Sequence, residues 1–130
     1  MIDHLSTYAT RFDATKRFYE AALAVLGSKL QREMVTSWDA SFPTRRMCAF
    51  GSTRPIFWVI EVREPATPRH TAFSASSRAE VDAFYRAALA AGGRDNGAPG
   101  VRAIYHPDYY GAFVLDPDGN NVEAVCHAPA

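Results

Sequence analysis

Residues 121–126, Asn-Val-Glu-Ala-Val-Cys, place one carboxylate in an apolar run near the end of the chain. Side chains alternate across a strand, so Asn121, Glu123 and Val125 share one face and Val122, Ala124 and Cys126 the other. A carboxylate buried there without a partner is costly, so Glu123 calls for a cation, a metal ion or hydrogen-bond donors. Imidazoles stand at His4, His70 and His106; an imidazole near neutral pH ligates a metal, exchanges a proton or simply packs as a half-buried polar group. His106 lies in AIYHPDYYG (103–111), beside Tyr105, Tyr109 and Tyr110. That segment reads either as an exposed loop covering the edge of the core, or as a lid whose imidazole and phenols serve as acid, base or hydrogen-bond donor. On the second reading His106, Tyr109 and Tyr110 are the catalytic candidates. Arg45, Arg46 and Arg54 read as a solvated face or as contacts for an anion. Trp38, Phe42 and Trp58 line either a pocket or the core. No phosphate-cradling glycine loop, HExxH or GxSxG is present.

An internal repeat positions these groups. At an offset of 66 residues, His4 falls on His70, Phe18-Tyr19 on Phe84-Tyr85, Ala21-Ala22-Leu23-Ala24 on Ala87-Ala88-Leu89-Ala90, and Gly27 on Gly93. Two copies of about 65 residues fill the chain. Each opens with a short alternating stretch and continues into a helix. In the second copy Ser77-x-x-Glu80 is a capping box, and Val81, Phe84, Tyr85, Ala88 and Leu89 recur at helical spacing before Gly92-Gly93. In the first, Asp13 is the expected N-cap, and Phe18, Tyr19, Ala22, Leu23 and Leu26 form the buried stripe. Strand-like runs follow at 29–36, 45–50 and 56–62, and again at 101–105, 111–115 and 121–126. GGRDNGAPG (92–100) and STRP (52–55) read as turns, SWDASFPT (37–44) as a loop and REPATPR (63–69) as a linker. The expected fold is α+β: two tandem βαβββ modules, 1–62 and 70–127, in a single domain, burying their sheet faces against each other. DPDGN (116–120) reads as the tight turn before the last strand.

Composition narrows the partners. The 130 residues carry 14 Lys plus Arg and 14 Asp plus Glu. Zero net charge gives no reason to expect nucleic acid or an anionic membrane, which leaves a small molecule or another protein chain. No signal-peptide pattern opens the sequence, and no apolar run approaches the ~18 residues of a membrane span. Cys48 and Cys126 stand far apart outside any CxxC pattern, as in a reduced cytoplasmic protein with two core cysteines.

The paired modules, the His near the start, FYE (18–20) in the first helix and FVLDPDGNNVEAV (113–125) resemble the vicinal oxygen chelate superfamily over essentially the whole chain. That superfamily includes glyoxalase I, extradiol dioxygenases and the fosfomycin and bleomycin resistance proteins. The resemblance implies a cupped sheet around a divalent metal ion, with His4, His70 and Glu123 as ligands. Two histidines and a carboxylate suit Fe, Mn, Zn or Ni. A fourth ligand would fall on the last strand of the first module. There the offset lands on Phe57, with Glu61 four residues further on and of the same parity. The resemblance further implies a homodimer, and a metal-dependent glyoxalase- or dioxygenase-type enzyme whose small oxygenated substrate is chelated through vicinal oxygens. The alternative from the same family is a metal-free protein that binds and sequesters a small molecule, as bleomycin resistance proteins do. A structural or regulatory dimer with a vestigial cup is the third reading, since fold does not fix function.

Overall fold

In the computed structural model, which describes residues 1–130, the two Phe-Tyr pairs lie on two helices that share one core. The elements are β1 (Leu5–Ala9), α1 (Phe12–Ala24), β2 (Lys29–Val35), β3 (Arg46–Gly51) and β4 (Phe57–Glu61), then β5 (His70–Ser74), α2 (Arg78–Ala90), β6 (Arg94–Val101), β7 (Tyr110–Leu115) and β8 (Asn121–Cys126). Each five-element run makes one mixed sheet, ordered β1-β4-β3-β2 and β5-β8-β7-β6. The β1–β4 and β5–β8 pairs are parallel and the others antiparallel. The architecture is α+β, two tandem βαβββ modules. No helix is long and apolar enough to cross a membrane.

Local chemistry sets the helix ends. The Ser77 hydroxyl accepts the Glu80 backbone N–H at 3.1 Å, and the Glu80 carboxylate accepts the Ser76 N–H at 2.8 Å, so two otherwise orphaned donors are satisfied. The expected cap of α1 is corrected. Arg11 holds the N-cap position and Asp13 lies in the first turn. The helix starts at Phe12 because that ring is buried in the core. Asp13 instead meets the positive end of the helix dipole and pairs with Arg46 at 2.9 Å.

Phe18, Tyr19, Ala22 and Leu23 of α1 and Val81, Phe84 and Ala88 of α2 pack in one cluster with Cys48, Phe50, Phe57 and Val59 of the first sheet and Val114, Val122 and Ala124 of the second. The modules thus join through their helices and the core between them. A Cβ on Gly93 would stand 2.5 Å from Val114 Cγ1 and 2.6 Å from Phe18 Cε1, so its absence lets Phe18 of the first module reach β7 of the second. Cys48 and Cys126 are buried and unbridged, and burial pushes the Cys48 thiol up to about 12.

One strand lies away from its expected place. β6 occupies 94–101, within the expected turn, and the expected strand 101–105 is mostly loop. β6 pairs with β7 through two register shifts, at Asp95/Gly97 and Gly97/Gly100. Bulges absorb the glycines, and Pro99 is tolerated because β6 is an edge strand. Pairing with β7 overrides the turn-like local composition.

The DPDGN turn does more than reverse the chain. Asp116, 1% exposed, accepts the backbone N–H groups of Asp118 and Asn120 at 2.9 Å each, the Asn120 amide at 2.8 Å and the Tyr19 hydroxyl at 2.7 Å. Asp118 accepts the Thr10 N–H at 3.0 Å. Gly119 takes φ +85°, open to glycine at little cost. The turn is therefore clamped to the first module, which fixes where β8 begins. Tyr19→Phe keeps the ring and removes one donor from a buried carboxylate. It should lower stability by about 1–3 kcal/mol, read as a lower urea midpoint at unchanged slope. An unchanged midpoint would mean that the bond to Asp116 contributes nothing.

Candidate functional site

Val122, Ala124 and Cys126 of β8 sit in the core, which turns Asn121, Glu123 and Val125 to the opposite, helix-free face of the second sheet. Across that face Glu123 has Ala72 of β5 on one side and Phe113 of β7 on the other. His70, two residues before Ala72, leans over the same spot. Its Nε2 lies 3.0 Å from Glu123 Oε1. From the end of the 102–109 loop the Tyr109 hydroxyl donates to Oε2. Gly111 leaves room for this contact: a Cβ there would stand 3.2 Å from Tyr109 Cε1 and 3.3 Å from Glu123 Oε2. The Glu123 side chain is 1% exposed, whereas that of His70 is 54% exposed. The result is a buried carboxylate with a half-exposed imidazole on one oxygen, a phenol on the other and the Phe113 ring alongside, its centroid 6.4 Å from that of His70.

Both carboxylate oxygens are engaged, so the burial cost is offset by two donors. The Nε2 proton assignment follows from the partner: facing a carboxylate, that nitrogen carries the hydrogen. Burial first, and then the bond to Glu123, push the Tyr109 phenol up to about 12. At neutral pH Tyr109 is therefore a fixed donor that orients Glu123, and no base.

The other expected residues divide. His4 immediately precedes β1 as His70 heads β5, so the repeat holds in position. Yet His4 is exposed, its Nδ1 2.7 Å from Asp3 Oδ1, and it borders a cleft with Met47, Arg54 and Trp58. No three His, Cys, Asp or Glu side chains stand together in a group that could hold a metal ion. His4 also borders a second cleft, between the modules, with Thr71, Ala72 and Ser74 of β5, but its imidazole pairs with Asp3 and not with His70 or Glu123. His106 stands one ring away, behind Tyr109, with centroids 5.5 Å apart. Its Nδ1 accepts the Asp108 N–H at 3.1 Å, so its Nε2 donates to His127 Nδ1 at 2.7 Å. Tyr110, expected as a pocket donor, faces the helix layer instead and donates to Asp82 of α2 at 2.7 Å. Adjacent residues of a strand point oppositely, so only Tyr109 of the two reaches Glu123.

The register also identifies the counterpart of Glu123 in the first module. Ala72 pairs with Glu123, and Ser6, the repeat equivalent of Ala72, pairs with Trp58. Trp58, one residue from the offset position Phe57, fills that place and is no ligand. Glu61 has the opposite parity to Trp58 and is taken up by Arg46, through the backbone N–H at 2.9 Å and the guanidinium at 3.1 Å. Sequence reasoning does not single out Arg102, whose guanidinium lies over Phe113 at 5.4 Å. The available signal is Gly97 and Gly100 just before it, which in sequence read only as turn residues.

The family model for the Glyoxalase/Bleomycin resistance protein/Dioxygenase superfamily matches residues 1–124. Among solved structures, a glyoxalase/bleomycin resistance protein from Albidiferax ferrireducens T118 is similar at 29% identity and a TM-score of 0.74, with 99% of each chain covered. A lactoylglutathione lyase from Agrobacterium tumefaciens shares the fold at 20% identity and a TM-score of 0.64, over 97% of this chain and 92% of that one. The fosfomycin resistance protein FosX from Listeria monocytogenes, complexed with Mn(II) and 1S,2S-dihydroxypropylphosphonic acid, shares it at 15% identity and a TM-score of 0.70, over 99% and 93% of the two chains. No protein of curated function matches.

The raised Tyr109 value carries a pH signature. A phenol whose folded pKa lies above its unfolded value stabilises the fold fully below pH ~10, and that contribution is lost as pH rises towards about 12. The stability difference between the wild type and Tyr109→Phe should therefore shrink between pH 10 and 12, measured by urea denaturation. A difference that stays constant over this range would mean that the phenol does not titrate with folding.

Proposed function

Because the chain belongs to the glyoxalase/bleomycin resistance protein/dioxygenase superfamily, we propose that it is a metal-dependent enzyme acting on a small oxygenated organic substrate chelated through vicinal oxygens. The observation that carries this reading is the contact of His70 Nε2 with Oε1 of a Glu123 carboxylate that is 1% exposed. An imidazole and a carboxylate on one strand pair, with the imidazole open to solvent, fit two positions of a divalent Fe, Mn, Zn or Ni site. Ion binding there takes the place of the proton that the two groups share. The third position goes to His4 of a second copy in a homodimer, since the chain's own His4 is exposed and apart from the pair.

When bound, the ion supplies Lewis-acid polarisation of the substrate's oxygens. The remaining work falls to this chain. Glu123 is held in place from Oε2 by Tyr109, which keeps its proton near neutral pH. Phe113 presents an apolar wall, and His106 at the rim serves as the acid–base group for substrate protons. Cys48 and Cys126, buried and unbridged, suit a reducing compartment, and we assign the protein to the cytoplasm. Zero net charge favours a small-molecule partner over nucleic acid or membrane. A second reading, metal-free binding and sequestration of a small molecule, is supported by the same network: Tyr109 and His70 already satisfy both Glu123 oxygens without an ion.

Two experiments separate these readings. His70→Ala should abolish Mn(II) or Zn(II) binding and lower the melting temperature in metal-replete buffer only, because an ion stabilises only the state that binds it. An equal melting shift in chelator-treated protein would favour the metal-free reading. His4→Ala and His70→Ala chains each lack a ligand, yet a mixed dimer of the two contains one complete site. Mixing them should restore metal binding absent from either variant alone. No restoration in mixed dimers would contradict the shared site.

A further inference from the structure

Arg102 follows β6, and its backbone N–H donates to the Tyr109 carbonyl at 2.7 Å, closing the loop that carries Tyr109 to Glu123. Its side chain is fixed in an unusual way. Nη1 donates to the Gly100 carbonyl at 2.9 Å and Nη2 to the Ala98 carbonyl at 2.7 Å. A Cβ on Gly100 would stand 3.1 Å from Nη1, and one on Gly97 3.2 Å from Nη2 and 2.9 Å from Phe113 Cδ2. The two glycines of β6 thus make the cradle in which the guanidinium lies, with Cζ 5.4 Å from the Phe113 ring centroid. Phe113 is the residue paired with Glu123, and His70 flanks the same ring.

Arg45, Arg46 and Arg54 each pair with a carboxylate. Arg102 forms no ion pair, and its two side-chain bonds go to neutral carbonyls. A guanidinium held by carbonyls keeps its full charge and free N–H groups for a partner. Because folding has already ordered it, a ligand meets little further loss of side-chain freedom.

We propose that Arg102 is a specificity-determining residue that binds an oxyanion, carboxylate or phosphoryl, carried by the small substrate beside the Phe113 ring that His70 also flanks. The proposal rests on the reading that the His70–Glu123 pair is the site. An anionic substrate would place its charge on the guanidinium fork and turn its vicinal oxygens towards His70 and Glu123. A neutral diol of the same size would lose the first contact and leave the cation unpaired.

Three probes test this by calorimetry at fixed ionic strength: glycerate, glycerol 3-phosphate and the neutral glycerol. Wild-type protein, chelator-treated and Mn(II)-loaded, should bind at least one of the two anions and bind glycerol at least about tenfold more weakly, as charge-assisted bonds imply. Which anion binds more tightly separates a carboxylate from a phosphoryl substrate. Arg102→Gln should abolish the preference for the anion. Arg102→Lys should restore part of it, since it keeps the charge but not the fork. Gly100→Ala, which leaves Arg102 in place but crowds Nη1, should weaken anion binding if the cradle matters. Thermal melts check that each variant folds. Unchanged anion affinity in Arg102→Gln, or no anion binding by the wild type, overturns the proposal. Loss of metal binding in His70→Ala is scored separately. If that variant keeps its metal while Arg102→Gln still loses the anion, the metal reading fails and the anion site stands.

Discussion

A carboxylate held out of water on an otherwise apolar strand is the constraint around which the second module is arranged. Glu123 is 1% exposed, and a buried carboxylate left bare would oppose folding strongly. Its neighbours follow from that need. β5 must run parallel beside β8 for His70 to reach Oε1, and the 102–109 loop must fold back for Tyr109 to reach Oε2. Gly111 leaves space between them, and Phe113 closes the side. A network this complete costs little in stability, yet it leaves its imidazole 54% exposed. That exposure is what the proposed metal-binding role of the pair draws on.

A second buried carboxylate sets up the first. Asp116 gathers two backbone donors, the Asn120 amide and the Tyr19 hydroxyl, and so ties the turn before β8 to a helix of the other module. The register of β8 decides which face Glu123 occupies, since a slip of one residue would send it into the helix layer. The clamp between modules and the site on the open face are therefore linked through six residues of strand. In the same chain His4, at the start of the first module, pairs with Asp3 rather than with His70 and Glu123.

Much of this arrangement is legible in the order of the amino acids alone. The 66-residue repeat specifies the two modules and the equivalence of His4 and His70, because helical stripes of Phe, Tyr, Ala and Leu survive in both copies. Alternation puts Glu123 on the face opposite Val122 and Ala124, where it lies. β6 escapes such reasoning because Gly97, Pro99 and Gly100 look like a turn until β7 supplies the pairing and the bulges. Tyr109 and Tyr110 are indistinguishable in sequence, since their opposite directions depend on where β7 begins. That Trp58 rather than Phe57 matches Glu123 depends on a one-residue difference in loop length that no local signal records. Whether His4 can reach the pair depends on how the modules pack, which the repeat does not encode.

In the proposed metal site, His70 and Glu123 are completed by a second histidine. Pulsed electron-spin-echo measurement on Cu(II)-loaded dimer, prepared with and without ¹⁵N-histidine, reads imidazole nitrogens at the ion directly. The expected result is modulation from two imidazoles that changes with the isotope and is lost, together with the bound ion, in either His4→Ala or His70→Ala. A bound ion with no imidazole modulation, or one indifferent to both substitutions, would contradict it.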